Sequence, residues 1–374
     1  MANIQELLAK FREIATNPAK QKDDFLKQGK KIVLCAPTIT PEEIPHSMGM
    51  VPMGAWGADM QINEAKKYFP AFICNIVQSS LELGITGKYE GCSAIIIPSL
   101  SDNLKVFGEN WKYAVPSIKF IPMTYPQNRK PDYGHDYTRA GYERVIRDLE
   151  EVTGIKFDES KLTESLKIYN RHNQVMREVS EVLAAHPEIS ATDRSAVFKS
   201  AFFMLKEDHT KMVEELIAAL KEQTPGKPKL RIMTTGIIAD APNLLKILDD
   251  NGYQIVADDM AAESRQYTTD APENLEGLDG LVEKFCSMDN DTLLYDPEKK
   301  RVQMIVDKIK ASKAQGLLIV MSKFVDPEEF DFPLIRRACM KEGIPVSNIE
   351  IDRTMDDYAQ ARTALETFKD ILDM

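Results

Sequence analysis

The chain is predicted to be α/β, with two doubly wound, flavodoxin-like parallel-sheet domains and a helical region connecting them. Three observations predict it. Short, continuous apolar runs recur in both halves, as strands buried on both faces require. Segments of helical periodicity separate those runs, so each strand returns parallel to the last through a crossover. Between the two alternating halves lies a long stretch with helical spacing and no strand candidate. The expected units are residues 1–137, 138–228 and 229–374.

Residues 4–15 show helical spacing at Leu7, Leu8, Phe11 and Ile14 and stop at Asn17-Pro18, giving a surface helix. Residues 31–35, ending in Cys35, form a buried strand, and Thr40-Pro41-Glu42-Glu43 reads as a helix start with Thr40 as N-cap. A second strand spans 51–56. Residues 72–83 are helical, with Cys74 in the first turn. The apolar run 93–98 is the clearest strand, and Ser101-Asp102-Asn103 caps the helix after it. Residues 117–121 give another strand before Pro122. From 138 to 219 the periodicity is helical, broken at His186-Pro187, and the Pro- and Gly-rich residues 223–229 form a linker. Strands are then expected at 230–234, 253–257, 316–321 and 345–349. Helices alternate with them near 242–250, 275–285, 298–311, 332–341 and 355–372.

A chain of 374 residues is long enough for two ordinary cores. Neither a secretory leader nor an apolar run of membrane-spanning length is visible, so a soluble, cytoplasmic protein without a membrane partner is expected. A formal charge of −11 argues against nucleic acid as a partner. The five cysteines stand singly, and a reducing cytoplasm does not favour a disulfide framework.

Sites in doubly wound domains gather beyond the carboxyl ends of strands, which selects among the thiols. Cys35 ends a strand, Cys74 begins a helix whose amides favour a thiolate, and Cys286 precedes the polar loop 287–291. These three can converge in a cleft, although Cys35 and Cys286 taken singly are better explained as core residues. Cys92 and Cys339 read as core residues. The histidines show no metal-ligand spacing, and His172, His186 and His209 lie on polar helical stretches where exposure is expected. Thr234-Thr235-Gly236 is a weak phosphate cradle, so no nucleotide is expected on this chain. Asp258-Asp259 and Glu350 end strands and are expected to cap turns.

One ordered set of residues goes further: Cys35, Thr40-Pro41-Glu42-Glu43-Ile44-Pro45, Gly49-Met50-Val51-Pro52, Cys74, Ser101-Asp102, Gly236, Asp258-Asp259, Arg265, Cys286, Lys323-Phe324 and Gly343-Ile344-Pro345. Over nearly the whole chain it resembles the 2-hydroxyacyl-CoA dehydratase and benzoyl-CoA reductase family. The resemblance implies the beta chain of a heterodimer with a homologous alpha subunit, served by a separate ATP-hydrolysing iron–sulfur activator. It implies a [4Fe-4S] cluster that relays an electron to the 2-hydroxyacyl-CoA bound by the alpha subunit, which loses its hydroxyl through a ketyl radical. Catalytic residues on this chain stay unassigned, because the substrate site is expected mainly on the partner. The family's usual cluster ligands fall at Cys74, Ser101 and Val325, of which only the first is a thiol. Cys35 and Cys286 are therefore expected to join Cys74 on the iron, with a small non-protein fourth ligand. The alternatives are a cluster-free scaffolding subunit, or a subunit of an aromatic acyl-CoA reductase.

Overall fold

The structure, a computed structural model, describes residues 3–374; Met1 and Ala2, at the start of the expected N-terminal unit, lie outside the described residues. Among the described residues, eight strands form two four-stranded sheets. The first joins β1 (Ile32–Cys35), β2 (Val51–Gly54), β3 (Ala94–Pro98) and β4 (Lys119–Met123), all parallel, in the order β2-β1-β3-β4. The second joins β5 (Leu230–Gly236), β6 (Tyr253–Met260), β7 (Gly316–Ser322) and β8 (Val346–Ile351), also parallel, in the order β6-β5-β7-β8. The α/β expectation with two parallel sheets is borne out. Both lobes share one strand order, a relation that no sequence repeat reveals.

Burial explains the strand patterns. Every residue of β1, β2 and β3 is buried, so their side chains are apolar on both faces. The edge strands β4 and β8 instead carry exposed Lys119, Asn348 and Glu350, which discourage pairing with another chain. Between the lobes, α1 (Ile4–Thr16), α7 (Glu159–Ala185), α8 (Ala191–Ser200) and α9 (Lys206–Lys221) bury a separate apolar cluster that includes Leu8, Phe11, Val179, Phe198 and Leu216.

Helices α4 (Asn75–Ile85) and α5 (Asp102–Ala114) cover one face of the first sheet, and α6 (Asp132–Thr153) with the start of α7 covers the other. On the second sheet, α10 (Pro242–Asp250) and α14 (Ala359–Leu372) oppose α12 (Lys300–Ser312) and α13 (Asp326–Lys341). One helix breaks the alternation. The helix expected near 275–285 forms as α11 (Gly277–Ser287), yet its Leu278, Leu281, Val282 and Phe285 pack beside Val33, Ile96 and Ile121 of the first sheet. The second half of the chain thus returns to roof the first lobe.

Several expected helix starts move. Cys74, expected in the first turn of a helix from 72, is instead the N-cap of α4, and α14 begins at Ala359 rather than 355. Thr40 does not cap: its hydroxyl donates back to the Ala36 carbonyl at 2.7 Å, and α3 begins only at Glu43 and ends at Ser47. The helix expected from 332 begins six residues earlier at Asp326, because Pro333 lies inside it rather than in its first turn. At the end of β5, Gly236 has φ of +150°, and a Cβ there would meet the Val320 carbonyl oxygen at 2.2 Å. Gly236→Ala is expected to cost about 1–3 kcal/mol in a urea unfolding titration. An unchanged midpoint would show that β5 and β7 can separate freely.

Candidate functional site

The three candidate thiols do not meet. Cys74 belongs to the apolar cluster on one face of the first sheet, with Leu34, Ile95 and Ile97. Cys286 belongs to the cluster on the opposite face, with Val33 and Ile96. Strand alternation turns Cys35 to the side of Val33, away from Cys74, and its charged surroundings are Glu42, Lys206 and Glu43. Those around Cys286 are Glu283, Arg129 and Lys130 instead. Among the described residues no three His, Cys, Asp or Glu side chains gather as a metal-holding group. Among the described residues the expected Cys35–Cys74–Cys286 set is therefore not brought together: a sheet separates Cys74 from the other two, and helix α11 carries Cys286 to its own corner.

Nor are the thiols poised as thiolates. Burial pushes Cys74 up to about 11 despite its bonds from the Ile76 and Val77 amides, and pushes Cys286 up to about 11 as well. Burial also raises Cys35 well above its ordinary value, reinforced by Glu42. All five cysteines are buried and unpaired, and Cys92 and Cys339 sit in apolar clusters as expected.

The positions that match the family's ligands do share a place. Cys74, Ser101 and Val325 are the N-cap residues of α4, α5 and α13. Cys74 and Val325 lie in one cluster, and Asn103 Nδ2 donates to the Phe324 carbonyl at 2.8 Å. Their donor set does not suit a cubane: one protonated thiol, one hydroxyl already accepting from the Leu104 amide at 3.3 Å, and a valine. The gap beside Cys74, Ser322 and Arg353 is about 10 Å³, room for one water molecule.

A larger cavity of about 120 Å³ opens where β1 ends, between the lobes and the central helices. This is the crevice in which doubly wound sheets bind ligands, beside the strand pair at which chain order reverses. Its floor is the loop after β1, where Thr38 and Ile39 have φ of +62° and +49°. Two successive non-glycine residues in this region are strained, and for a β-branched residue the conformation is rare. The Tyr125 hydroxyl holds the loop by donating to the Ile39 carbonyl at 2.7 Å. Trp56, Tyr125, Tyr142, Tyr169 and Phe285 form aromatic walls.

The charged groups of the cavity are mostly paired. Lys206 Nζ lies 2.9 Å from Glu42, and Lys284 Nζ lies 2.6 Å from the buried Glu43. Arg265 lines the cavity and belongs to a buried network that extends behind the wall. It and Arg301 both bond Asp259 and Glu328, and Arg301 continues to Asp331 at 2.9 Å. Burial opposes the ionised form of Asp259, yet Arg265 and Arg301 hold its carboxyl below the ordinary range. Asp258 does cap a turn, accepting from the Met260 and Ser264 amides at 3.0 Å, and also pairs with Arg194. Glu350 is exposed on an edge strand.

Sequence periodicity misplaced the histidines. His172 and His209 are wholly buried and hydrogen-bonded to each other at 3.0 Å, and His186 is buried beside Glu188. The helices that carry them face inward between two lobes, so polar neighbours there do not mean solvent. Arg301, Lys206 and Lys284 escaped notice for the same reason: a charge on an isolated helix looks solvated until its partner is in place.

Comparison with known proteins follows the same outline. Residues 37–372 match the family described as 2-hydroxyglutaryl-CoA dehydratase, D-component. The chain is 42% identical to the (R)-phenyllactyl-CoA dehydratase beta subunit of Clostridium sporogenes, covering 100% of both chains. It is 37% identical to the (R)-2-hydroxyglutaryl-CoA dehydratase subunit beta of Acidaminococcus fermentans, over 99% of this chain and 100% of that one. The (R)-phenyllactyl-CoA dehydratase alpha subunit of Clostridium sporogenes is more distant, at 24% identity over 94% of this chain and 91% of its own.

Proposed function

The chain belongs to the 2-hydroxyglutaryl-CoA dehydratase D-component family as the beta subunit of a 2-hydroxyacyl-CoA dehydratase, a hydro-lyase, and we propose that its thioester is (R)-2-hydroxyisocaproyl-CoA, dehydrated to (E)-2-isocaprenoyl-CoA. End-to-end similarity to two beta subunits carries the reading. The related alpha subunit supports a heterodimer. In the proposed enzyme the alpha chain binds the thioester, and an ATP-hydrolysing activator supplies the electron in the cytoplasm. No helix among the described residues is long and apolar enough to cross a membrane.

Within that heterodimer this chain is a cluster-free scaffold. The dispersed thiols and the missing donors at Ser101 and Val325 support this choice over a relay through a [4Fe-4S] cluster on this chain. Cys35→Ala and Cys286→Ala complexes are expected to keep dehydratase activity within about two-fold, since each change removes only a core sulfur. Iron and sulfide, measured on the anaerobic complex and apportioned between its chains, should accompany the alpha subunit. Iron in the isolated beta chain, or loss of activity in both variants, would sink the scaffold reading. The substrate assignment fails separately, if (R)-phenyllactyl-CoA is turned over faster than (R)-2-hydroxyisocaproyl-CoA.

A further inference from the structure

The proposed enzyme binds its thioester on the alpha subunit, and the interlobe cavity of this chain has walls that hold unused hydrogen-bonding capacity. Of eight buried side-chain polar atoms without a partner among the described residues, four belong to residues that line it: Thr38 Oγ1, His172 Nδ1, Arg265 Nη1 and Tyr267 OH. Buried polar groups are normally satisfied, so such a concentration at one cavity points to a ligand. The strained Thr38-Ile39 loop is a second, independent sign, because backbone strain persists where a binding surface requires it.

The polarity of two of these atoms is determined by the hydrogen-bond network. The Val197 carbonyl can only accept, and His209 Nε2 lies 3.0 Å from it, so His209 carries its proton on Nε2 and presents Nδ1 as an acceptor. His172 Nε2 therefore donates to that atom at 3.0 Å. The Nδ1 of neutral His172 is left as an acceptor in need of a donor. Arg265 Nη1 is a pure donor without a partner, and the Asp291 carboxylate is 4.0 Å away, beyond hydrogen-bond reach. Tyr267 connects the two, with its ring edge-on to His172 at a centroid distance of 5.4 Å.

The complement is a small molecule with an acceptor group for Arg265 and a donor for His172. Charge narrows it further. The cavity is lined by four carboxylates, Glu42, Glu43, Asp289 and Asp291, against three cations, Lys206, Lys284 and Arg265, a balance of −1 that does not favour a simple monoanion. A zwitterion adds no charge, and aromatic walls such as Trp56 and Tyr169 suit both an ammonium group and an apolar side chain. We propose that this cavity binds a free α-amino acid, its carboxylate on Arg265 and Tyr267 and its ammonium toward His172 and Glu42. The proposal goes beyond the dehydratase reading and rests on the proposed thioester for one feature, the leucine side chain of the amino acid tested.

Calorimetric titration of the purified heterodimer with L-leucine, (R)-2-hydroxyisocaproate and isocaproate tests it, because the three share a side chain and differ only at C2. L-leucine should bind saturably, and isocaproate, lacking the donor, at least about ten-fold more weakly. Tyr267→Phe removes a hydroxyl that no protein group uses, so the melting temperature should hold while L-leucine affinity falls about five-fold. No saturable binding of L-leucine, tighter binding of the hydroxy acid, or equal L-leucine affinity in Tyr267→Phe would each overturn the proposal. Dehydratase turnover measured on the same wild-type preparation reports separately on the enzyme assignment.

Discussion

At pH 5 the fold is expected to be about 4 kcal/mol less stable than at pH 7, with two histidines carrying most of the difference. Burial, helped by the Lys206 charge, holds His209 down to about 3, although donation to the Val197 carbonyl works the other way. Burial and the neighbouring His209 hold His172 well below its ordinary value of 6.5. In the unfolded chain each imidazole takes up a proton near that ordinary value, while in the fold it stays neutral. The unfolded state therefore binds more protons as the pH drops below 6.5, and stability declines with a slope of up to about 1.4 kcal/mol per pH unit for each histidine. Paired carboxylates such as Asp259 and Asp331 add their losses only below their unfolded value of 3.8. Urea titrations at pH 7 and pH 5 measure the slope, and His172→Gln should remove about half of it. Equal stability at the two pH values would mean that these imidazoles are accessible to protons.

Arg301→Ala is expected to destabilise the protein by about 3–5 kcal/mol, the second large effect. The guanidinium bonds Asp259, Glu328 and Asp331, all nearly inaccessible, and also donates to Thr235 Oγ1 at 2.9 Å. Removing it leaves Asp259 and Glu328 in the interior with Arg265 as their remaining partner, and Asp331 with Lys299 at 2.9 Å. The penalty is the unpaired charge rather than the worth of the pair. Lys246→Ala, which breaks an exposed pair with Asp250, should change stability by no more than about 0.5 kcal/mol in the same assay. A similar loss in both variants would show that water reaches the Arg301 network.

The strands were legible because burial on two faces leaves little chemical choice. Ile32-Val33-Leu34 and Ala94-Ile95-Ile96-Ile97 are apolar throughout, and their burial is complete. The break at His186-Pro187 was equally readable, since proline disfavours helix in the residue before it, and α7 ends at Ala185. The first turn after β1 was not. Thr40-Pro41-Glu42-Glu43 has the composition of a helix start, but the strained Thr38-Ile39 loop redirects the Thr40 hydroxyl to Ala36.

The sequence by itself determined the fold class, the family and the likeness to beta subunits, because periodicity and ordered motifs are local or one-dimensional properties. Only the tertiary structure decided which distant side chains share a face. It placed α11 on the first lobe rather than the second, and so parted Cys286 from Cys74 by a sheet. It also turned His172, Arg265 and Tyr267 toward one another around a cavity. The physical reason is that a strand residue's face depends on register and a helix's neighbour on packing, and neither is encoded at any fixed spacing along the chain.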